Sequence, residues 1–257
     1  SKTYDGNTNA TTSLSGGTVS GNIDGDSTYY LANLTRSSSA TYSNKNAGSR
    51  TLSVSYTALA RTTASGYRVS GYDVNAYSGT GTISKKTITL SAAKTYDGNT
   101  ALTIGEVAIT TGIGSETLTF SGATASNAHV ATAGKYINAI TLQNGSGLAS
   151  NYALPTLNAA NAAVTISTKT LTPTLSNTGV TKIYDGTTGT SFTPTYTYSG
   201  FVTGDTDAAL SNTAMIYNDS HVASANKITV SGLSIDSIAG SNSSLGSDYV
   251  LNATSKD

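Results

Sequence analysis

Apolar and polar residues alternate along this chain with a period of two, as in Leu52-Ser-Val-Ser-Tyr56, Leu118-Thr-Phe120, Ile140-Thr-Leu142, Val164-Thr-Ile166 and Ile228-Thr-Val230. Successive side chains of a strand point to opposite faces, so each run predicts a half-buried antiparallel strand with Thr or Ser on its wet side. Helical spacing of apolar residues is nearly absent. Between the runs lie clusters of Gly, Asn, Asp and Ser, which supply turn conformations, while Thr, Val, Ile and Tyr favour the pleated surface. The pattern predicts an all-β protein.

One turn phrase occurs three times, as Lys2-Thr-Tyr-Asp-Gly-Asn-Thr8, Lys94-Thr-Tyr-Asp-Gly-Asn-Thr100 and Lys182-Ile-Tyr-Asp-Gly-Thr-Thr188. Its tyrosines are spaced by 96 − 4 = 92 and 184 − 96 = 88 residues, whereas solenoid and propeller repeats run roughly 20 to 50. Each period is therefore a small domain, and strands of this length separated by turns point to immunoglobulin-like β-sandwiches. Three tandem modules are expected over 1–84, 85–168 and 169–257. Further phrases recur in order. Asp24-Gly-Asp-Ser-Thr-Tyr-Tyr-Leu31, Gly112-Ile-Gly-Ser-Glu-Thr-Leu118 and Gly204-Asp-Thr-Asp-Ala-Ala-Leu210 lead from a turn into a strand. Gly66-Tyr-Arg-Val69, Asn151-Tyr-Ala-Leu154 and Asp248-Tyr-Val-Leu251 open the closing strands. The junctions, such as Ile83-Ser-Lys-Lys86, hold no flexible Gly/Ser tract, so an elongated, stiff rod is expected. The first module lacks the β-like stretch that precedes the other two phrases, and the third stops before a counterpart of Val164-Thr-Ile166. A truncated first strand and an incomplete last strand are expected.

Composition narrows the function. Lys+Arg and Asp+Glu are both 14, so no long-range field steers nucleic acid or anionic lipid to the chain. No apolar run reaches the roughly 18 to 20 residues that span a bilayer, which argues against membrane insertion. Charged residues make up only 11%, leaving the surface to hydroxyls and amides. Cysteine is absent, which fits an export route that avoids misoxidation and a secreted, bacterial-surface location.

Lys94-Thr-Tyr-Asp-Gly-Asn-Thr100, Ala133-Gly-Lys135, Asn151-Tyr-Ala-Leu154 and Ile83-Ser-Lys-Lys86 resemble the YDG and MBG repeats of large bacterial adhesins exported by two-partner secretion, like filamentous haemagglutinin. The resemblance covers essentially the whole chain. It implies a stalk or spacer that projects a distal binding region for cell adhesion or biofilm formation, with neighbouring repeats of the same chain as its partners.

Several residues carry chemistry worth weighing. In Tyr4-Asp5-Gly6, Tyr96-Asp97-Gly98 and Tyr184-Asp185-Gly186, Asp can accept backbone N–H groups, Gly can take positive φ and Tyr can pack its ring. A structural turn is the reading of these nine residues. Asp24, Asp26, Asp205 and Asp207 alternate as calcium ligands can, without the further oxygens such a site needs; calcium is the one cofactor the sequence suggests. His129 and His221 share a His-Val-Ala setting a domain apart, which rules out joint chelation. Tyr29, Tyr30, Tyr196 and Tyr198 could stack on sugar rings, giving the alternative of a glycan- or protein-binding adhesive module that contacts host or biofilm partners. No nucleophile elbow, phosphate loop or paired acidic machinery is present, so an enzyme is not expected. A Lys–Asn isopeptide crosslink remains compatible with the composition.

Overall fold

The computed structural model describes residues 1–10, 36–58 and 77–257. Among them the regular structure is strand, apart from two three-residue 3-10 turns at Ala149–Asn151 and Gly246–Asp248. The protein is all-β. Asp24, Asp26, Tyr29, Tyr30 and the 66–69 phrase lie outside the described residues.

The chain forms two compact units. One comprises Ser1–Ile88, Thr110–Thr119 and Gln143–Leu154, the other Thr89–Ile109, Phe120–Leu142 and Pro155–Asp257. This division does not follow the repeats, because the second repeat contributes segments to both.

In the first unit a five-stranded sheet has the order Lys2–Thr3, Tyr77–Ser84, Gly48–Ala58, Arg36–Tyr42, Asn9–Ala10. Its pairings are antiparallel except at one edge, where Lys2 runs parallel to the neighbouring strand opposite Ile83. Alternation brings Val54 opposite Ala40, and both are buried with Tyr42, Ile83 and Tyr4. Gly81 is demanded by packing, since a Cβ there would stand 2.6 Å from the Tyr42 ring. Lys86–Thr87 adds a short parallel pairing with Tyr152–Ala153.

In the second unit Thr89–Thr95 buries every second residue, namely Leu90, Ala92 and Lys94. It lies between Val164–Ser167 and Val107–Thr110, with Val164 opposite Ala92 and Ile166 opposite Lys94 in parallel register. The rest of the unit's strands include the sheet of Tyr196–Ser199, Lys169–Leu175 and Tyr249–Leu251, the pair Asp205–Ser211 with Ser234–Gly240, and the sheet of Ala214–Tyr217, Ile228–Ser231 and Ser255–Lys256. Leu102, Ile137, Leu171, Val230, Tyr96 and Tyr249 are buried there.

Tyrosine outnumbers phenylalanine 16 to 3, and Tyr4, Tyr96 and Tyr152 are each only 2% exposed. A buried phenol needs a partner for its hydroxyl. Those partners define the candidate site.

Candidate functional site

The repeated phrase folds as a lysine-braced turn. Asp5 Oδ1 accepts the Asn7 N–H at 3.2 Å and the Lys2 ammonium at 2.6 Å, while the same ammonium reaches the Asn7 carbonyl at 2.7 Å. Lys94 repeats this with Asp97 at 2.6 Å and the carbonyls of Asn99 and Ala101 at 2.9 and 2.8 Å. Lys182 does so with Asp185 at 2.7 Å and the carbonyls of Thr187 and Gly189 at 2.8 and 2.7 Å. Gly6, Gly98 and Gly186 stand at φ of 82°, 84° and 77°, the left-handed region where a Cβ is penalised. Lys182 and the Thr187 amide and hydroxyl hold the Asp185 carboxyl down at about 2. The turn fixes where the tyrosine between Lys and Asp points.

In the first unit that tyrosine is Tyr4, and it enters a seat made by residues of the second repeat. Its ring meets Tyr152 edge-on, with centroids 5.5 Å apart and planes at 79°. Its hydroxyl donates to Glu116 Oε1 at 2.8 Å, and the Tyr152 hydroxyl donates to Oε2 at 2.6 Å. Lys45 stands 3.6 Å from the same carboxylate. Burial, and then the bond to Glu116, push the Tyr4 hydroxyl up to about 12 and raise Tyr152 as well. Burial would also raise Glu116, but the hydroxyls of Tyr152 and Tyr4 and the Lys45 ammonium outweigh it and hold the carboxyl below its usual range. One carboxylate thus joins two phenols and a cation.

The second unit builds the same seat for Tyr96 from residues of the third repeat. Tyr96 meets Tyr249 edge-on at 5.7 Å and 72°. Asp205 stands where Glu116 does, shortly after a glycine turn, and accepts the Tyr249 hydroxyl at 2.5 Å. Aspartate is one methylene shorter, and Ser244 bridges the gap: its hydroxyl donates to Asp205 Oδ2 at 2.6 Å and lies 2.6 Å from the Tyr96 hydroxyl. Because the serine proton is committed to Asp205, Tyr96 is the donor to Ser244. Ser244 immediately precedes Leu245 and the 3-10 turn, and Gly147 holds that place before Leu148. A Cβ at Gly147 would lie 2.7 Å from Glu116 Oε2. The seat is therefore filled by Glu with Gly or by Asp with Ser. Gly147→Ser alone is expected to cost about 1–3 kcal/mol through overpacking, and Gly147→Ser with Glu116→Asp to recover most of it in urea unfolding. A double variant no more stable than the single would refute the coupling.

A second contact lies beside each seat. Asn44 Oδ1 accepts the Asn46 N–H at 2.8 Å, which directs the next amide, Ala47 N–H, to Asn151 Oδ1 at 2.9 Å; Asn151 in turn donates to Asn46 Oδ1 at 3.0 Å. In the second unit Asn127 Oδ1 accepts the His129 N–H at 2.7 Å, the Val130 N–H donates to Asp248 Oδ1 at 2.7 Å, and His129 Nδ1 lies 2.8 Å from Asp248 Oδ2. Asn151 and Asp248 are buried and immediately precede Tyr152 and Tyr249. Sequence reasoning placed these Asx-Tyr pairs at the start of a strand and missed them as a seat. The signal available was their recurrence together with Glu116 and Asp205.

Asp205 is occupied by Tyr249, Ser244 and Asn242, whose amide reaches Oδ1 at 3.1 Å, and Asp207 Oδ1 accepts the Ala208 N–H. Among the described residues no three His, Cys, Asp or Glu side chains gather as a metal site. Tyr196 and Tyr198 are half-buried and stack obliquely on each other at 6.1 Å; Tyr198 continues to Phe201 at 5.4 Å and Phe201 to Tyr249 at 5.9 Å. This aromatic row backs the Tyr96 seat. His221 folds onto Asp219 of its own loop at 2.9 Å. Tyr184, the third copy of the turn tyrosine, is 58% exposed, and Ile183 is 92% exposed.

A family model described as YDG domain matches residues 80–162 and 167–256. No curated protein and no solved structure matches the chain. Among the described residues no helix is long and apolar enough to cross a membrane.

Proposed function

Because the chain belongs to the YDG domain family, we propose that it is a stalk or spacer segment of a secreted bacterial surface adhesin, holding a distal binding region away from the cell for adhesion or biofilm formation. On this reading three tandem immunoglobulin-like sandwiches form an extended rod whose immediate partners are neighbouring repeats. The observation that carries the proposal is the pair of seats. Tyr4 of the first repeat is buried against Glu116 and Tyr152 of the following repeat, and Tyr96 of the second against Tyr249 and Ser244, the latter bonded to Asp205. A joint that buries an aromatic ring and a charge-assisted hydrogen bond resists bending in a way that a Gly/Ser tract does not. That is the property a spacer needs, and the packing of Tyr196 and Tyr198 on each other and on Phe201 gives less support to a glycan platform at those two residues.

Small-angle scattering of the whole chain tests this reading. A compact globule of this length has a radius of gyration of about 18 Å. The proposal expects a value well above that, with the cross-section of a single sandwich. A value near the compact figure overturns it.

A further inference from the structure

The third repeat presents, uncovered, the same elements that the first two repeats insert into a neighbour. Its turn is already formed: Lys182 holds Asp185 and two carbonyls, and Gly186 has the same positive φ as its counterparts. Yet Tyr184 is 58% exposed where Tyr4 and Tyr96 are 2% exposed. The adjoining loop is preformed too. His221 N–H is held by Asp219 Oδ1 at 2.8 Å, as Asn46 is by Asn44 and His129 by Asn127. The residue that follows, Val222, is 79% exposed, while its counterparts Ala47 and Val130 give their amides to Asn151 and Asp248.

We propose that the face formed by Tyr184, His221 and Val222 is a docking surface for one further repeat of the same kind, through a carboxylate and an Asx-Tyr pair on that repeat. The inference rests on the stalk reading and adds to it the chemistry of the joint. The Tyr184 hydroxyl donates to the incoming carboxylate, directly to Glu or through a serine to Asp. The Tyr184 ring meets the incoming tyrosine edge-on. The Val222 amide and the His221 ring bind the incoming Asn or Asp. This selects the occupant. A head-to-tail second copy of this chain would offer Asp26 and Tyr67, but Gly66 in place of the Asx residue, so the loop amide would lose its acceptor.

The register of the third repeat specifies how to test this. Tyr217 lies opposite Ile228 as Tyr42 lies opposite Leu52, so Val230 matches Val54. Lys256 lies opposite Val230 as Tyr77 lies opposite Val54, and Asp257 therefore stands at the position of Ser78. The full chain followed after Asp257 by a second copy of residues 79–168 therefore continues the strand and supplies a seat made of Glu116, Asn151 and Tyr152. Tetranitromethane nitration, mapped by peptide mass, reads the outcome. Tyr184 is expected to nitrate readily in the 257-residue chain and at least tenfold more slowly in the extended chain. Glu116→Ala with Asn151→Ala in the appended copy is expected to restore reactivity. Unchanged reactivity of Tyr184 overturns the proposal. So does protection that arises in the unextended chain only as its concentration rises, because the occupant is then a second copy. A chain extended by residues 79–257, in which the appended repeat keeps its own neighbour, repeats the measurement should the shorter extension not fold. An extended scattering profile with a reactive Tyr184 would sink this inference alone, whereas a compact profile would sink the stalk reading.

Discussion

Replacing Tyr96 with alanine is expected to lower the unfolding free energy of its unit by about 3–5 kcal/mol, the range for deleting a buried aromatic side chain. The ring is 2% exposed and meets Tyr249 edge-on, a contact worth about 0.5–1.5 kcal/mol beyond the area it covers. Its hydroxyl ends the chain from Ser244 to Asp205, so Tyr96→Phe, which keeps the ring, is expected to cost only about 1 kcal/mol. Tyr184→Ala is the control, since the same residue of the same phrase is largely exposed there. Urea unfolding followed by amide hydrogen exchange reads all three variants. Equal losses at positions 96 and 184 would show that the seat contributes nothing.

Alkali is expected to open both seats. Burial and the adjacent carboxylates raise the hydroxyls of Tyr4, Tyr152 and Tyr249, Tyr4 from 10.0 to about 12, and burial raises Tyr96. A phenol with a raised folded value keeps its proton after the unfolded chain has released its own. The stabilisation is thus complete below pH 10 and is lost as pH rises through the folded value. For each tyrosine still neutral in the folded state the loss is roughly 1.4 kcal/mol per pH unit. Spectrophotometric titration should show exposed tyrosines ionising first, then a delayed, cooperative step coincident with loss of exchange protection. A single smooth transition near the free phenol value would contradict this. Glu116 works with the opposite sign: its value lies below the ordinary 4.5, so its contribution is present above that pH and fades as the carboxylate is protonated in acid.

The sequence made the strand class readable because alternation such as Val164-Thr-Ile166 is a local property, and the structure buries Val164 and Ile166 while leaving Thr165 outside. The glycine of the turn phrase was readable for the same reason, since an Asp-Gly pair prepares a positive φ within a few bonds. Lys94 was less obvious. It takes an inward slot between apolar residues, and only its spacing to Asp97 and to the carbonyls of Asn99 and Ala101 explains how an ammonium stays there. The seats were hidden by distance along the chain. Tyr4 and Glu116 are 112 residues apart, and Tyr96 and Ser244 are 148 apart. No periodicity pairs residues across such a span, and the Glu-to-Asp change makes the two acids look unrelated until Gly147 and Ser244 are set beside them. The histidines show the same limit, as identical local phrases put His129 against Asp248 and His221 against its own Asp219.

Glu116 and Gly147 both come from the second repeat, and Asp205 and Ser244 both come from the third. Each matched pair therefore travels inside a single period. Gain or loss of one whole period by unequal recombination would leave every remaining socket correctly sized for the tyrosine it receives, so array length can drift without mending any joint.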